Sequence, residues 1–109
     1  MENILQEIRE ERKRQDAKWG VQNHPILNHK YIDWKGSEMC EHYKIPSEEE
    51  ARRTVDRKVK SGELTYMDIL IEEIAEVAES KNPAPCRVEL IQSAAVIVAM
   101  IESLVRNNI

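Results

Sequence analysis

The sequence predicts an all-α fold, and three observations carry that reading. Apolar residues recur at helical spacing in separate segments. The three glycines and four prolines of the 109-residue chain stand between those segments, like punctuation. No stretch shows a convincing strand pattern. The length suits a single domain over residues 1–109. With 41% hydrophobic and 33% charged residues, the chain reads as globular rather than disordered. Its core is modest at this length, so helix packing or a second subunit would enlarge it.

The first predicted helix covers roughly 2–18, with Ile4, Leu5 and Ile8 at helical spacing and a polar continuation. Glu10 and Glu11 lie four and three residues before Arg14, close enough to pair on its surface. Residues 19–46 hold Gly20, Pro25, Gly36 and Pro46 and most of the aromatic residues. Their periodicity is poor, so a long loop is expected, with a short helical turn near 38–43. A loop of that length in a compact domain is often functional. Ser47 and Glu50 form a capping-box pattern that opens a second main helix at 48–61, closed by Gly62. Along it Glu48 can meet Arg52, Glu49 can meet Arg53 and Asp56 can meet Lys60. Thr65 caps a third main helix over 66–80. Asn82, Pro83 and Pro85 break the chain before a fourth over 86–106.

The formal net charge is −4, from 16 basic and 20 acidic side chains, which argues against nucleic-acid backbone binding. Cys40 and Cys86 have no CxxC partner and read as free thiols in a reducing compartment. No basic-then-apolar leader is visible at the N-terminus. The longest unbroken apolar run, Ala94 to Ile101, is shorter than the ~20 residues a bilayer requires. A soluble cytoplasmic protein without membrane or nucleic-acid partners is the expectation.

The third main helix carries the feature that needs explaining. Glu72, Glu73, Glu76 and Glu79 fall within eight positions that contain no Lys or Arg. Like charges three or four residues apart destabilise an isolated helix by roughly 0.2–0.5 kcal/mol per pair. Met67, Leu70, Ile71, Ile74, Val77 and Ala78 form the apolar stripe of this helix and are expected to face the core. A solvated acidic face is one reading, but it predicts interleaved cations such as those at 48–61. The other reading is that a bound metal ion supplies the missing charge. The next helix supports it. Residues 94–101 are apolar all round, so this segment is expected to be buried on several sides. Glu89 and Gln92 project from a face shared with Val96 and Ala99 and would oppose Glu73 and Glu76. Oxygen ligands of this kind suit Mg²⁺, with Mn²⁺ as a substitute, and Mg²⁺ commonly takes further ligands from substrate phosphates.

Two segments, ILIEEIAEVAES and RVELIQSAAVIVAMIESL, resemble the MazG-like, all-α nucleoside triphosphate pyrophosphohydrolases. The family signature is EExxE, a variable spacer, then ExxD. Here it reads Glu72-Glu73-x-x-Glu76, twelve intervening residues, then Glu89-x-x-Gln92, with Gln92 where the family usually has Asp. SGELTYMDIL resembles the lead-in of short, phage-type members, and KWGVQNHP is similar to the family's Trp…Gln…His element. The resemblance implies a four-helix-bundle-type fold with a long loop between its first two main helices, assembled as a homodimer or homotetramer. It implies Mg²⁺-dependent hydrolysis of a (deoxy)nucleoside triphosphate to the monophosphate and pyrophosphate, as nucleotide-pool housecleaning. On this basis Glu73, Glu76 and Glu89 hold the metal and Gln92 contributes more weakly. Glu72 and Glu73 are the catalytic candidates, with Glu72 as base or orienting group for the water that attacks the α-phosphorus.

Trp19 and Gln22 are candidates to stack on and hydrogen-bond a base, against a packing role for Trp19. Arg14, Lys18, Arg57 and Lys58 are candidates for phosphate contact, against simple solvation. Tyr31 and Trp34 read as structural. His24, His29, Cys40 and His42 lack a usual zinc spacing. No P-loop, G-x-S-x-G or dinucleotide glycine motif occurs. The competing function is a nucleotide-binding or helical regulatory module with little or no turnover.

Overall fold

The computed structural model describes residues 2–28, 30 and 35–109. It is helical, with no strand among the described residues. The elements are α1 (Glu2–Trp19), α2 (Gly36–His42), α3 (Glu48–Ser61), α4 (Tyr66–Glu79) and α5 (Pro83–Arg106). His29, Tyr31 and Trp34 lie outside the described residues.

Local chemistry explains the boundaries. At the start of α3 the Glu50 backbone N–H donates to the Ser47 hydroxyl at 3.2 Å, as the S-x-x-E pattern predicts. At its end Gly62 takes φ 78° and the Glu63 N–H returns to the Lys58 carbonyl at 3.0 Å. Thr65 opens α4 through a reciprocal box. Its hydroxyl accepts the Asp68 N–H at 3.3 Å, and its own N–H donates to Asp68 Oδ2 at 3.0 Å. Lys58 donates to the other Asp68 oxygen at 2.8 Å, tying the end of α3 to the start of α4. That bond, with those from Thr65, holds the Asp68 carboxyl down at about 2.

Two helices differ most from the sequence expectation. The helical turn expected near 38–43 is a full short helix, α2, over Gly36–His42. And α5 begins at Pro83, three residues before the predicted start. The first-turn positions of a helix have N–H groups with no intrahelical partner, so Pro83 and Pro85 start the helix instead of breaking it.

Packing centres on α4, which contacts α5, α3 and α2. The core cluster is built from Met39, Cys40, Ala51, Ala75 and Ala78, with Leu27, Ile45 and Ile71 packed against it. The small side chains let α2, α3 and α4 approach closely. Tyr43 Oη accepts the Asn28 N–H at 2.9 Å and pins the preceding loop to this corner. Helix α1 meets the bundle through α5, with Ile4 buried and Leu5 and Ile8 exposed.

The apolar stripe expected on α4 does not face inward as a unit. Val77 and Ala78 are buried, but Met67 and Ile74 are exposed. The helices that contact α4 leave these two residues uncovered. Residues 94–101 on α5 also depart from the expectation of burial on several sides. Ala94, Ala95 and Ile97 are exposed, and of this segment Val98 alone is fully buried. A single chain supplies α5 with too few neighbours to cover it.

Candidate metal centre

The α4–α5 packing brings Glu73 and Glu76 against Glu89. One carboxylate oxygen from each lies within 4.8 Å of the other two, and all three side chains are half-buried. Among the described residues this is the one His/Cys/Asp/Glu group able to hold a metal ion. The arrangement follows from local geometry. Positions 73 and 76 are three apart and share a face of α4, and the turn at 80–82 lets α5 fold back along that face.

The electrostatics of the group are those of an under-compensated anion cluster. Glu73 Oε2 and Glu89 Oε2 are buried and have no hydrogen-bond partner. Burial pushes the Glu76 carboxyl up to about 8, helped by a hydrogen bond with Glu89 and by the charges of Glu73, Glu89 and Glu48. Without an added cation, Glu76 therefore holds a proton against Glu89 near neutral pH. Buried polar atoms are costly unless satisfied, so orphaned oxygens on two facing helices fit a bound cation. The donor set is all oxygen, the chemistry of a hard divalent ion.

Glu72 is not part of this group, and charges from α3 as well as from Glu73 act on it. Its pKa is raised by burial, pulled back by the Arg52 guanidinium, and raised again by Glu73, Asp56 and Glu48. Glu48, Arg52 and Asp56 recur every fourth residue and so line one face of α3. They form a third wall beside the acidic site that the sequence reading did not assign. Their interleaved signs read as ordinary surface pairing, and the Arg52–Glu48 and Arg53–Glu49 pairs do form. The spacing is a usable signal only once α3 is known to pack beside α4.

Glu79 stands apart from the other three glutamates. Its Oε2 accepts the Glu48 backbone N–H at 2.6 Å and lies 3.5 Å from the Cys40 thiol. Its charge is compensated by the first turn of α3, where free N–H groups and the helix dipole favour an anion. Burial and the Glu79 charge push the Cys40 thiol up to about 12. Cys40 is therefore a neutral thiol that faces the Glu79 carboxylate and the Ala75 carbonyl.

The remaining sequence candidates are placed as follows. Gln92 is exposed on α5, one turn beyond Glu89, and does not share Glu89's burial. Trp19 and Gln22 are exposed at the end of α1 and in the following loop, and Lys18 lies 4.7 Å over the Trp19 ring. Arg14 pairs with Glu11 at 2.8 Å, while Glu10 pairs with Lys13. Arg57 is exposed, and Lys58 is engaged by Asp68. Among the described residues, no hydrogen bond or ion pair joins any of these cations to the three-glutamate group.

Comparison with protein-family models, curated proteins and solved structures returned no match. The functional reading therefore rests on the residues and geometry described above.

Proposed function

We propose that the protein hydrolyses (deoxy)nucleoside triphosphates to the monophosphate and pyrophosphate in the presence of Mg²⁺, with Mn²⁺ as an alternative ion. The observation that carries this reading is the convergence of Glu73, Glu76 and Glu89 across two helices with two buried oxygens unpartnered. The resemblance of the EExxE…ExxQ pattern to MazG-like pyrophosphohydrolases supplies the reaction class. A divalent ion bound there would neutralise the triphosphate and stabilise charge developing on it.

The chain's own residues then divide the remaining work. Glu73, Glu76 and Glu89 bind the ion, and Glu76 gives up its proton as they do so. Glu72, between the acidic group and Arg52, orients the attacking water and accepts its proton. Trp19 offers a face for the base and Gln22 an amide for its edge. Arg14, Lys18 and Arg57 are the exposed cations proposed to meet phosphate oxygens, Arg14 by leaving its surface pair with Glu11. Lys58 is the weaker candidate, because it would have to leave Asp68.

The test is release of pyrophosphate from each nucleoside triphosphate, with Mg²⁺ present and absent. Turnover should require the ion and fall at least a thousandfold in Glu76→Gln, on the order of the loss of a main ligand to the reacting site. A Glu76→Gln protein that turns over at the wild-type rate would refute the assignment.

One observation favours a second reading, a nucleotide-binding module without turnover. Gln92 is uncharged and exposed, so the acidic group has three carboxylates rather than four. Ion-dependent nucleotide binding by calorimetry, with no pyrophosphate formed, would select this reading instead.

A further inference from the structure

We propose that Arg52, on α3, is a phosphate-binding residue of the acidic site, exchanging its surface partner Glu48 for an oxygen of the triphosphate that the metal holds. The inference rests on the triphosphate reading above and adds a residue to it. A metal-bound triphosphate is still an anion, and the group it would approach, Glu73, Glu76 and Glu89, is acidic too. Binding therefore calls for a fixed cation close to that group.

Three contacts fix α3 beside α4. At one end the Glu48 N–H donates to Glu79 Oε2 at 2.6 Å, and toward the other Lys58 donates to Asp68 at 2.8 Å. Glu79 follows Glu76 by three residues and Asp68 precedes Glu72 by four, so the two clamps bracket the acidic stretch of α4. Between them Ala51 is buried in one cluster with Ala75 and Ala78. Arg52 is the next residue, so its backbone is held level with the site.

Arg52 is also an α3 cation whose charge reaches Glu72, where it opposes the effect of burial. Steps of four residues set it in line with Glu48 and Asp56, whereas Arg53 and Arg57 are turned ~100° and ~140° away around the helix. Its guanidinium is lightly engaged. Among the described residues Nη2 donates to Glu48, and the arginine side of that pair is 54% exposed. Exposed pairs of this kind hold weakly. A guanidinium carries five N–H donors in a fork that matches a phosphate, so a bidentate phosphate contact outcompetes a single exposed carboxylate.

The experiment is calorimetric titration of the full chain with magnesium tripolyphosphate, a probe without a base, beside Mn²⁺ alone followed by electron paramagnetic resonance. In Arg52→Gln the tripolyphosphate affinity should fall about tenfold or more, as for loss of a charge-assisted contact, and Arg52→Lys should recover part of it. Mn²⁺ affinity should hold or rise, because the variant removes a positive charge near the carboxylates. A merely structural arginine would weaken both. Glu48→Gln should have the opposite sign. It frees Arg52, so tripolyphosphate should bind several-fold tighter, and that gain should vanish when Arg52→Gln is added. Unchanged tripolyphosphate binding in Arg52→Gln, a parallel loss of Mn²⁺ affinity, or a Glu48→Gln gain that survives without Arg52 would each overturn the proposal. A wild type that binds Mn²⁺ but no tripolyphosphate would remove the triphosphate reading itself, and the role of Arg52 with it.

Discussion

At the scale of single residues, Glu76 concentrates the physics of the site. Its carboxyl is raised to about 8 in the metal-free fold, mainly by burial and by the hydrogen bond with Glu89. The ordinary value of 4.5 applies once the chain unfolds. Between these values the folded state holds a proton that the unfolded state has lost, so stability falls as pH rises. Asp68 works in the opposite sense at lower pH. Its pKa is lowered to about 2, so its contribution is complete above about 4 and is lost as pH falls through that range. The melting temperature of EDTA-treated protein should therefore decline from pH 5 to pH 8, as scanning calorimetry can follow. Glu76→Gln should flatten the decline, because the amide imitates the protonated acid at every pH. Saturating Mg²⁺ should also oppose it, since the ion binds the ionised form. An unchanged slope in Glu76→Gln would show that another group carries the pH dependence.

At the scale of elements, the helix ends show what was legible in the sequence. Helix α3 matches its predicted bounds of 48–61, and α4 ends one residue before its predicted limit. Ser47, Gly62 and Thr65 act through neighbours within a few positions, and a sequence displays such neighbours directly. Helix α2 was only partly legible, because tertiary contacts stabilise it. Met39 and Cys40 are buried against α3 and α4, and such partners leave no periodic trace in a seven-residue segment. Of the site, the three glutamates were legible from spacing. The separate role of Glu79 and the α3 wall of Glu48, Arg52 and Asp56 were not, because both depend on how helices are arranged. Gly62 offers a clean element-scale test. An added Cβ would meet nothing within 4 Å, so the cost of Gly62→Ala is that of the left-handed backbone alone. Urea denaturation should show a loss of about 1 kcal/mol with metal affinity unchanged.

At the scale of the whole molecule, a small core and a large apolar exterior belong together. Among the described residues, the fully buried hydrophobic ones are mostly small, and none is aromatic. Such a core removes little area per residue, so a surface that one copy leaves open is available to add stability on assembly. If assembly supplies it, the melting temperature is a function of protein concentration. A hundredfold dilution should lower it by several degrees, and Ile97→Glu with Leu104→Glu should abolish that dependence. A melting temperature constant over that range in the wild type would place the stability within the single chain.

The Glu79–Glu48 contact divides an acidic run that looks uniform in one dimension. A variant released from the proposed metal site could replace positions 73 and 76 and relieve their mutual repulsion. It would still need a hydrogen-bond acceptor at 79, because that oxygen closes the corner where α2, α3 and α4 meet. Neighbouring glutamates in one heptad thus answer to unrelated constraints, one set by chemistry and one by architecture.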